Sequence, residues 1–354
     1  MTKREYMVAA LSHRETDLIP FTEEFAGPDA QDMFMGKDWE QMPPGFEKTR
    51  LMFEKLDTFE AELWTPDGYK VTSHENEKGE TIIQYETGAI QRTRRLPYFR
   101  HYENFPIQSP EDFKTIPTID MSEPERYEPV KKQLEYFSQY GYFCTASMCG
   151  PLETTCRHFR GYDNFLLDIA MDKSFANELV EFAMSFLMEY LRGVLKLDID
   201  GVKISDDLGS NLGLLFSPTI YRELIFPWHK KMAEETHAAG KFFLMHSHGN
   251  INEIIEDIIE AGVDCINPLD PADGMDLAAL KETYGDRICF HGGISRYIGN
   301  MSADELEKAV KDAIDKGAKK GGFILSSSGG IPVEMSKKSA QDYLAISKRL
   351  RRRC

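Results

Sequence analysis

The sequence is conspicuous first for what it omits. Its six cysteines, at positions 144, 149, 156, 265, 289 and 354, form no CxxC pair and no regular spacing. A disulfide framework is therefore without support, and reduced thiols in a cytoplasmic protein are expected. The N-terminal MTKREYMVAALSHRETD has only a short apolar stretch before charge returns. It has neither the shape of a secretion signal nor the length of a membrane span. Positive charge is scarce: 42 basic residues face 58 acidic ones, a formal net charge of -16. Such a surface repels nucleic acid and anionic lipid, so neither is an expected partner. The basic tail Lys348–Arg353 is an exception, and a solvated helix end complementing its dipole accounts for it. No GxGxxG follows the first apolar run, which leaves a dinucleotide-binding fold without positive support.

What is present is alternation. A short apolar run, a polar or glycine-rich turn and an amphipathic stretch of helical period follow one another repeatedly, with no repeat or linker to split the chain. Eight runs serve as strands: Leu18–Phe21, Thr58–Trp64, Tyr142–Ser147, Gly201–Ser205, Lys241–Met245, Val263–Ile266, Arg287–Phe290 and Gly322–Leu325. Helices are expected between them, among them Leu152–Ala170, Ser174–Lys196, Pro218–Ala239 and Asn250–Ala261. Parallel βα units in that number close a (β/α)8 TIM-type barrel. The whole chain, 1–354, then forms one domain, and residues from about 67 to 104 read as a β-hairpin insertion after the second strand, placed to cover the mouth.

In such barrels chemistry gathers where strands end. The residues there include Glu23, Glu24, Trp64, Asp67, Ser147, Cys149, Asp206, Asp207, His246, His248, Asn267, Asp270, His291 and Ser326 to Ser328. Polar groups so placed are costly to desolvate, although any one of them can serve as a helix cap or satisfy a loop. His246 and His248 are two apart, and on an extended strand both rings face one side and can share an ion. Asp206 or Glu24 from another strand can complete that set. The competing reading packs one ring in the barrel and bonds the other to a loop. Of the acidic pair, Asp206 is expected to face the pocket as metal ligand or general base, with Asp207 capping the next turn. His291 and the glycine loop Ser326–Gly330 offer an alternative site for a phosphate, needing no metal; the glycines also simply permit tight turns.

Beyond these single residues, GVKISDDLGSNLGLLFSPTIYRELIFPWHK, LMHSHGNINEIIEDIIEAGVDCINPLDP, RICFHGGIS and GGFILSSSGGIP together resemble the uroporphyrinogen decarboxylase superfamily. Weaker similarity reaches back through GPLETTCRHFRGYDNFLLDIA to REYMVAALSHRETDLIP. The superfamily includes decarboxylases and cobalamin-dependent methyltransferases, and the resemblance implies the barrel. The decarboxylase holds a polycarboxylate with arginines after its first strand. Here Phe21–Asp29 is acidic and has none, so porphyrinogen decarboxylation is not expected, although Asp67 lies near that enzyme's key aspartate. The thiol-methylating zinc enzymes use His-x-Cys after the fifth strand and a Cys after the eighth. This chain keeps the histidine as His246, has His248 for the first cysteine, and places Ser326–Gly330 where the second falls. A harder, more Lewis-acidic zinc site of imidazole and carboxylate suits activation of an O- or N-methyl donor.

The resemblance therefore implies a methyltransferase or demethylase closer to the methyltransferase branch. It would take a methyl group from a small methylated substrate and pass it to a corrinoid protein. No DxHxxG cobalamin-ligand motif occurs, so a separate partner carries the corrinoid. Asp206, His291 and Asp67 are the candidate catalytic residues. Glu24, Trp64, Asn267, Ser326 and Ser328 are the candidate substrate contacts, and His246, His248, Asp206 and Glu24 the candidate metal ligands. Trp64 can stack on a ring-bearing donor. A metal-independent decarboxylase or lyase of a small acid, and a ligand-binding barrel without turnover, are the alternatives. The family includes homodimers.

Overall fold

The computed structural model describes residues 1–36, 39, 41–65 and 67–352. Seven parallel strands make one curled sheet. In chain order, β1 is Glu60–Trp64, and after it come β2 (Val71–Glu75), β3 (Thr81–Tyr85), β4 (Ile90–Arg94) and β5 (Phe99–Glu103). Next are β6 (Phe143–Cys149), β7 (Gly201–Ser205), β8 (Gly209–Ser210), β9 (Gly213–Leu214), β10 (Phe242–His246), β11 (Cys265–Asn267), β12 (Cys289–Ile294) and β13 (Phe323–Ser327). The large sheet has the order β1-β6-β7-β10-β11-β12-β13. The expected first strand forms only isolated bridges at Leu18 and Phe21. Its backbone nevertheless bonds at both edges of the sheet: Leu325 N donates to Pro20 O at 2.9 Å, and Phe59 N donates to Phe21 O at 2.9 Å.

Of the seven observed strands, two end at the expected residue and five run one to four residues beyond it, and the reason is physical. The apolar reading stops a strand where polar residues begin, yet those polar residues continue the ladder and point inward. On four neighbouring strands an apolar residue and a polar one two positions later share the inner face: Leu244 and His246, Cys265 and Asn267, Cys289 and His291, Ile324 and Ser326. The lower residues pack with Phe59 and Phe143 against Met7, Ala10 and Leu11 of the N-terminal helix Lys3–Leu11. That helix, opened by a Thr2–Glu5 capping box, plugs the amino end of the sheet. The polar layer above is left facing the other, carboxyl end.

Two expected helices are interrupted. The stretch expected as Leu152–Ala170 is a helix at Pro151–Thr155, a π turn at Cys156–Arg160 and a second helix at Tyr162–Met171. Gly161 separates them with φ +82°, and Phe105 occupies the space a side chain there would need. The stretch Pro218–Ala239 carries a π turn at Tyr221–Ile225 just before Pro227, which has no N–H to continue the ladder. Between β1 and β6 the strands β2, β3, β4 and β5 form an antiparallel meander. Among the described residues no helix is long and apolar enough to cross a membrane.

Candidate functional site

A cavity of about 560 Å³ opens at the carboxyl end of the parallel strands. Its wall includes Glu24, Trp64, His246, His248, Asn267, His291, Ser326 and Ser328, so eight of the ten residues given a catalytic, substrate or metal role share one space. Asp206 and Asp67 do not line it.

His246 is the best-defined group. Its Nδ1 lies 2.7 Å from Asn267 Oδ1, while Asn267 Nδ2 donates to the His291 carbonyl at 3.4 Å. Asn267 thus presents an acceptor, the ring must donate from Nδ1, and the Nε2 lone pair is left available. Burial, then the neighbouring His248 ring, pushes the imidazole down to about 4, so it stays neutral. The His248 ring stands perpendicular to it with centroids 4.6 Å apart. β10 ends at His246, so the two rings do not meet through strand geometry; instead Asp207 Oδ1 accepts the His248 amide at 2.8 Å and lies 3.9 Å from His246 Nε2.

The acidic pair is arranged opposite to expectation. Lys203, Ser205 and Asp207 share the inner face, so Asp207 opens to the cavity and Asp206 turns away. Asp206 is fully buried, accepting from the Glu153 amide at 2.9 Å and pairing with His229 Nε2 at 2.8 Å, whose Nδ1 bonds the Tyr221 hydroxyl. It anchors helices behind the wall. Asp67 is likewise corrected in place. It accepts from the Cys149 amide at 2.8 Å and pairs with His158 Nε2 at 3.0 Å. Burial works against its charge, but the His158 hydrogen bond and charge outweigh it and hold the carboxyl below its ordinary value.

His291 is buried with Nε2 at 2.5 Å from Thr22 Oγ1, and its Nδ1 finds no hydrogen bond among the described residues. Burial, then Lys203 and His246, lowers its basicity well below the ordinary histidine value. The ring is therefore held in its neutral form. Glu24 is desolvated by the cavity and crowded by Glu62, which push its carboxyl up to about 7. In the glycine loop, the Ser327 amide and hydroxyl donate to Glu23 at 3.2 and 2.9 Å, so those donors are already committed and are not open to a phosphate. Ser328 donates to Ile294 O at 2.7 Å, whereas the buried Ser326 hydroxyl has no partner among the described residues. Trp64 is 51% exposed at the rim.

Sequence reasoning missed the cations of the wall. Buried Lys203 pairs with Glu60 at 3.5 Å and, more closely, with Glu62. Arg157 pairs with Glu153 at 2.7 Å and lies over Tyr102, and Arg100 of β5 also lines the cavity. Strand parity would have found Glu60 and Glu62 from Trp64, and Lys203 from Ser205.

The uroporphyrinogen decarboxylase (URO-D) family model matches residues 94–349, well over half of the chain. The chain belongs to the uroporphyrinogen decarboxylase family. Among solved structures, this family member is similar to a methyltransferase from Methanosarcina mazei at 16% identity and a TM-score of 0.71, covering 99% of each chain. That likeness establishes a shared fold. A 3-keto-D-glucoside 4-epimerase from E. coli matches at 12% identity, over 62% of this chain and 83% of its own, with a TM-score of only 0.37. No curated protein matches in sequence.

For a metal, the donor set is suitable at His246. A neutral imidazole oriented by a side-chain carbonyl is the usual preparation of a ligand, and Asp207 is near enough to share an ion with it. His248 and Glu24 stand on the same wall. Among the described residues, the three-residue group whose ligand atoms all lie within 4.8 Å of one another is elsewhere: Asp67, Cys149 and His158.

Proposed function

We propose that this uroporphyrinogen decarboxylase-family protein is a cytoplasmic methyltransferase or demethylase. In this reading it removes a methyl group from an O- or N-methylated small molecule and delivers it to a corrinoid protein. The segment around Phe21 serves as the eighth strand of a closed (β/α)8 barrel, and β2 to β5 as an insertion beside its mouth. The observation that carries the functional reading is the fixed tautomer of His246, with Nδ1 committed to Asn267 and Nε2 free beside Asp207 and His248. These residues would hold a zinc-type ion, which supplies Lewis acidity toward the donor's heteroatom when bound, and the partner's corrinoid supplies the methyl acceptor. Asp207 takes the ligand role first given to Asp206. Glu24, with its carboxyl near neutrality, is suited to hand a proton to the demethylated oxygen or nitrogen. Trp64 at the rim offers a face for an aromatic donor.

The test combines the protein, a reduced corrinoid protein and a panel of methoxylated aromatics and methylated amines, with the demethylated product quantified. Product formation that depends on the corrinoid protein and falls at least about 100-fold in His246→Ala is expected, the size of losing an oriented catalytic group. Quantitative recovery of every donor, or unchanged turnover in His246→Ala, overturns the reading. A metal-free lyase would instead release carbon dioxide or an alkene from a small acid.

A further inference from the structure

We propose that Asp67, Cys149 and His158 form a second site, for a divalent transition metal, behind the cavity wall. The three residues come from separate elements: Asp67 follows β1, Cys149 ends β6, and His158 sits in the π turn Cys156–Arg160. Their ligand atoms lie within 4.8 Å of one another and all three residues are buried. Asp67 holds φ +51°, a left-handed conformation rare for a residue with a side chain, and this places its carboxyl against the other two. Departures from regular helix and strand geometry at convergent polar groups are what functional sites display.

The chemistry of the set is specific. Thiolate, imidazole and carboxylate together match zinc or cobalt rather than magnesium or calcium, which prefer oxygen alone. Arg157 Nη1 donates to Cys149 Sγ at 3.3 Å, the kind of N–H···S contact that supports a metal-bound thiolate. Independent of the ligand distances, two polar groups here are stranded. His158 Nδ1 and the Tyr69 hydroxyl are buried without a hydrogen bond among the described residues, and their ring centroids lie 4.5 Å apart with the planes tilted by 49°. The cluster thus encloses unpartnered polar atoms even though Asp67 bonds both His158 and the Cys149 amide. On loading, Cys149 would give its thiol proton to solvent, and His158 would carry its ring proton on the otherwise unpartnered Nδ1, so that the ion takes the place of the direct Asp67–His158 hydrogen bond. Because Arg157 touches Cys149 and also lines the cavity, the second ion stiffens the wall on which substrate would rest.

The experiment strips the full chain with a chelator and titrates it with cobalt(II) alone. One equivalent producing a near-ultraviolet thiolate-to-cobalt absorption is expected. That band should vanish in Cys149→Ser, weaken about 10-fold in affinity in Arg157→Lys, and persist in His246→Ala. Far-ultraviolet circular dichroism checks that each variant is folded, and His158→Asn provides a second ligand deletion should Cys149→Ser fail to fold. Cobalt binding without the thiolate band, or a band that survives loss of either ligand, overturns the proposal. Because His246→Ala leaves this site intact, failure here and failure of the methyl-transfer reading give different results.

Discussion

Lys203→Met is the perturbation for which the structure gives the clearest magnitude. Lys203 comes from the middle of β7 and only 6% of it is exposed. Its ammonium pairs with Glu60, 3.5 Å away and 4% exposed, and with Glu62. At that separation and an effective dielectric of about 20, Coulomb attraction to Glu60 alone is about 5 kcal/mol before desolvation is subtracted. Removing one partner of a buried pair costs about 3–5 kcal/mol because the other charge is left unpaired. Glu62 is less affected, since a quarter of its side chain reaches solvent. Urea unfolding followed by circular dichroism should show Lys203→Met destabilised by about 3–5 kcal/mol. Adding Glu60→Gln should restore about half, because the amide carbonyl can still accept from Thr145 Oγ1, which now bonds Glu60 at 2.7 Å. A loss under about 1 kcal/mol, or no recovery in the double variant, would refute the claim that this lysine compensates buried acid beneath the cavity.

Three further outcomes follow from particular contacts. His291 is depressed in the fold and ordinary in the unfolded chain, so unfolding takes up a proton below pH 6.5; stability is fully present above that value and falls with acidification, by about 1.4 kcal/mol per pH unit at most. His291→Gln should flatten the profile between pH 6.5 and 4.5 by about that slope, and parallel profiles would count against a neutral, buried ring. Asn267→Leu removes the acceptor for His246 Nδ1 and should weaken zinc binding at His246 by about 10–100-fold in calorimetric titration; unchanged affinity there would mean that the ring is oriented by something else. Gly249 has φ +90° with the Gly209 backbone 2.2 Å from where a Cβ would sit, so Gly249→Ala should cost about 1–3 kcal/mol by thermal melting and displace His248; an unchanged melting temperature would refute this.

The difference between what the chain disclosed beforehand and what it withheld comes down to range. Parity along a strand is local, so the inward row of His246, Asn267, His291 and Ser326 could be read from spacing. So could Asp207, had the alternation Lys203, Ser205, Asp207 been extended one step beyond the strand rather than broken by assigning Asp207 to a cap. The resemblance carried by the segments around 201–230 and 244–271 was equally legible because those motifs are contiguous. The environment of Asp67 was not. Its partner His158 is 91 positions away and arrives through a π turn, and nothing in the spacing of either residue announces the other. The same holds for Lys203 and Glu60, 143 positions apart. Burial decides the chemistry of such pairs, and burial follows from how the sheet curls and how the Lys3–Leu11 helix plugs its lower end. A carboxylate at a strand end therefore counts as a candidate site residue from its position, but as a base, ligand or buried anchor only from its neighbours. Asp206 and Asp207 carry the same side chain at adjacent positions; one lies sealed against His229 and the other opens toward His246.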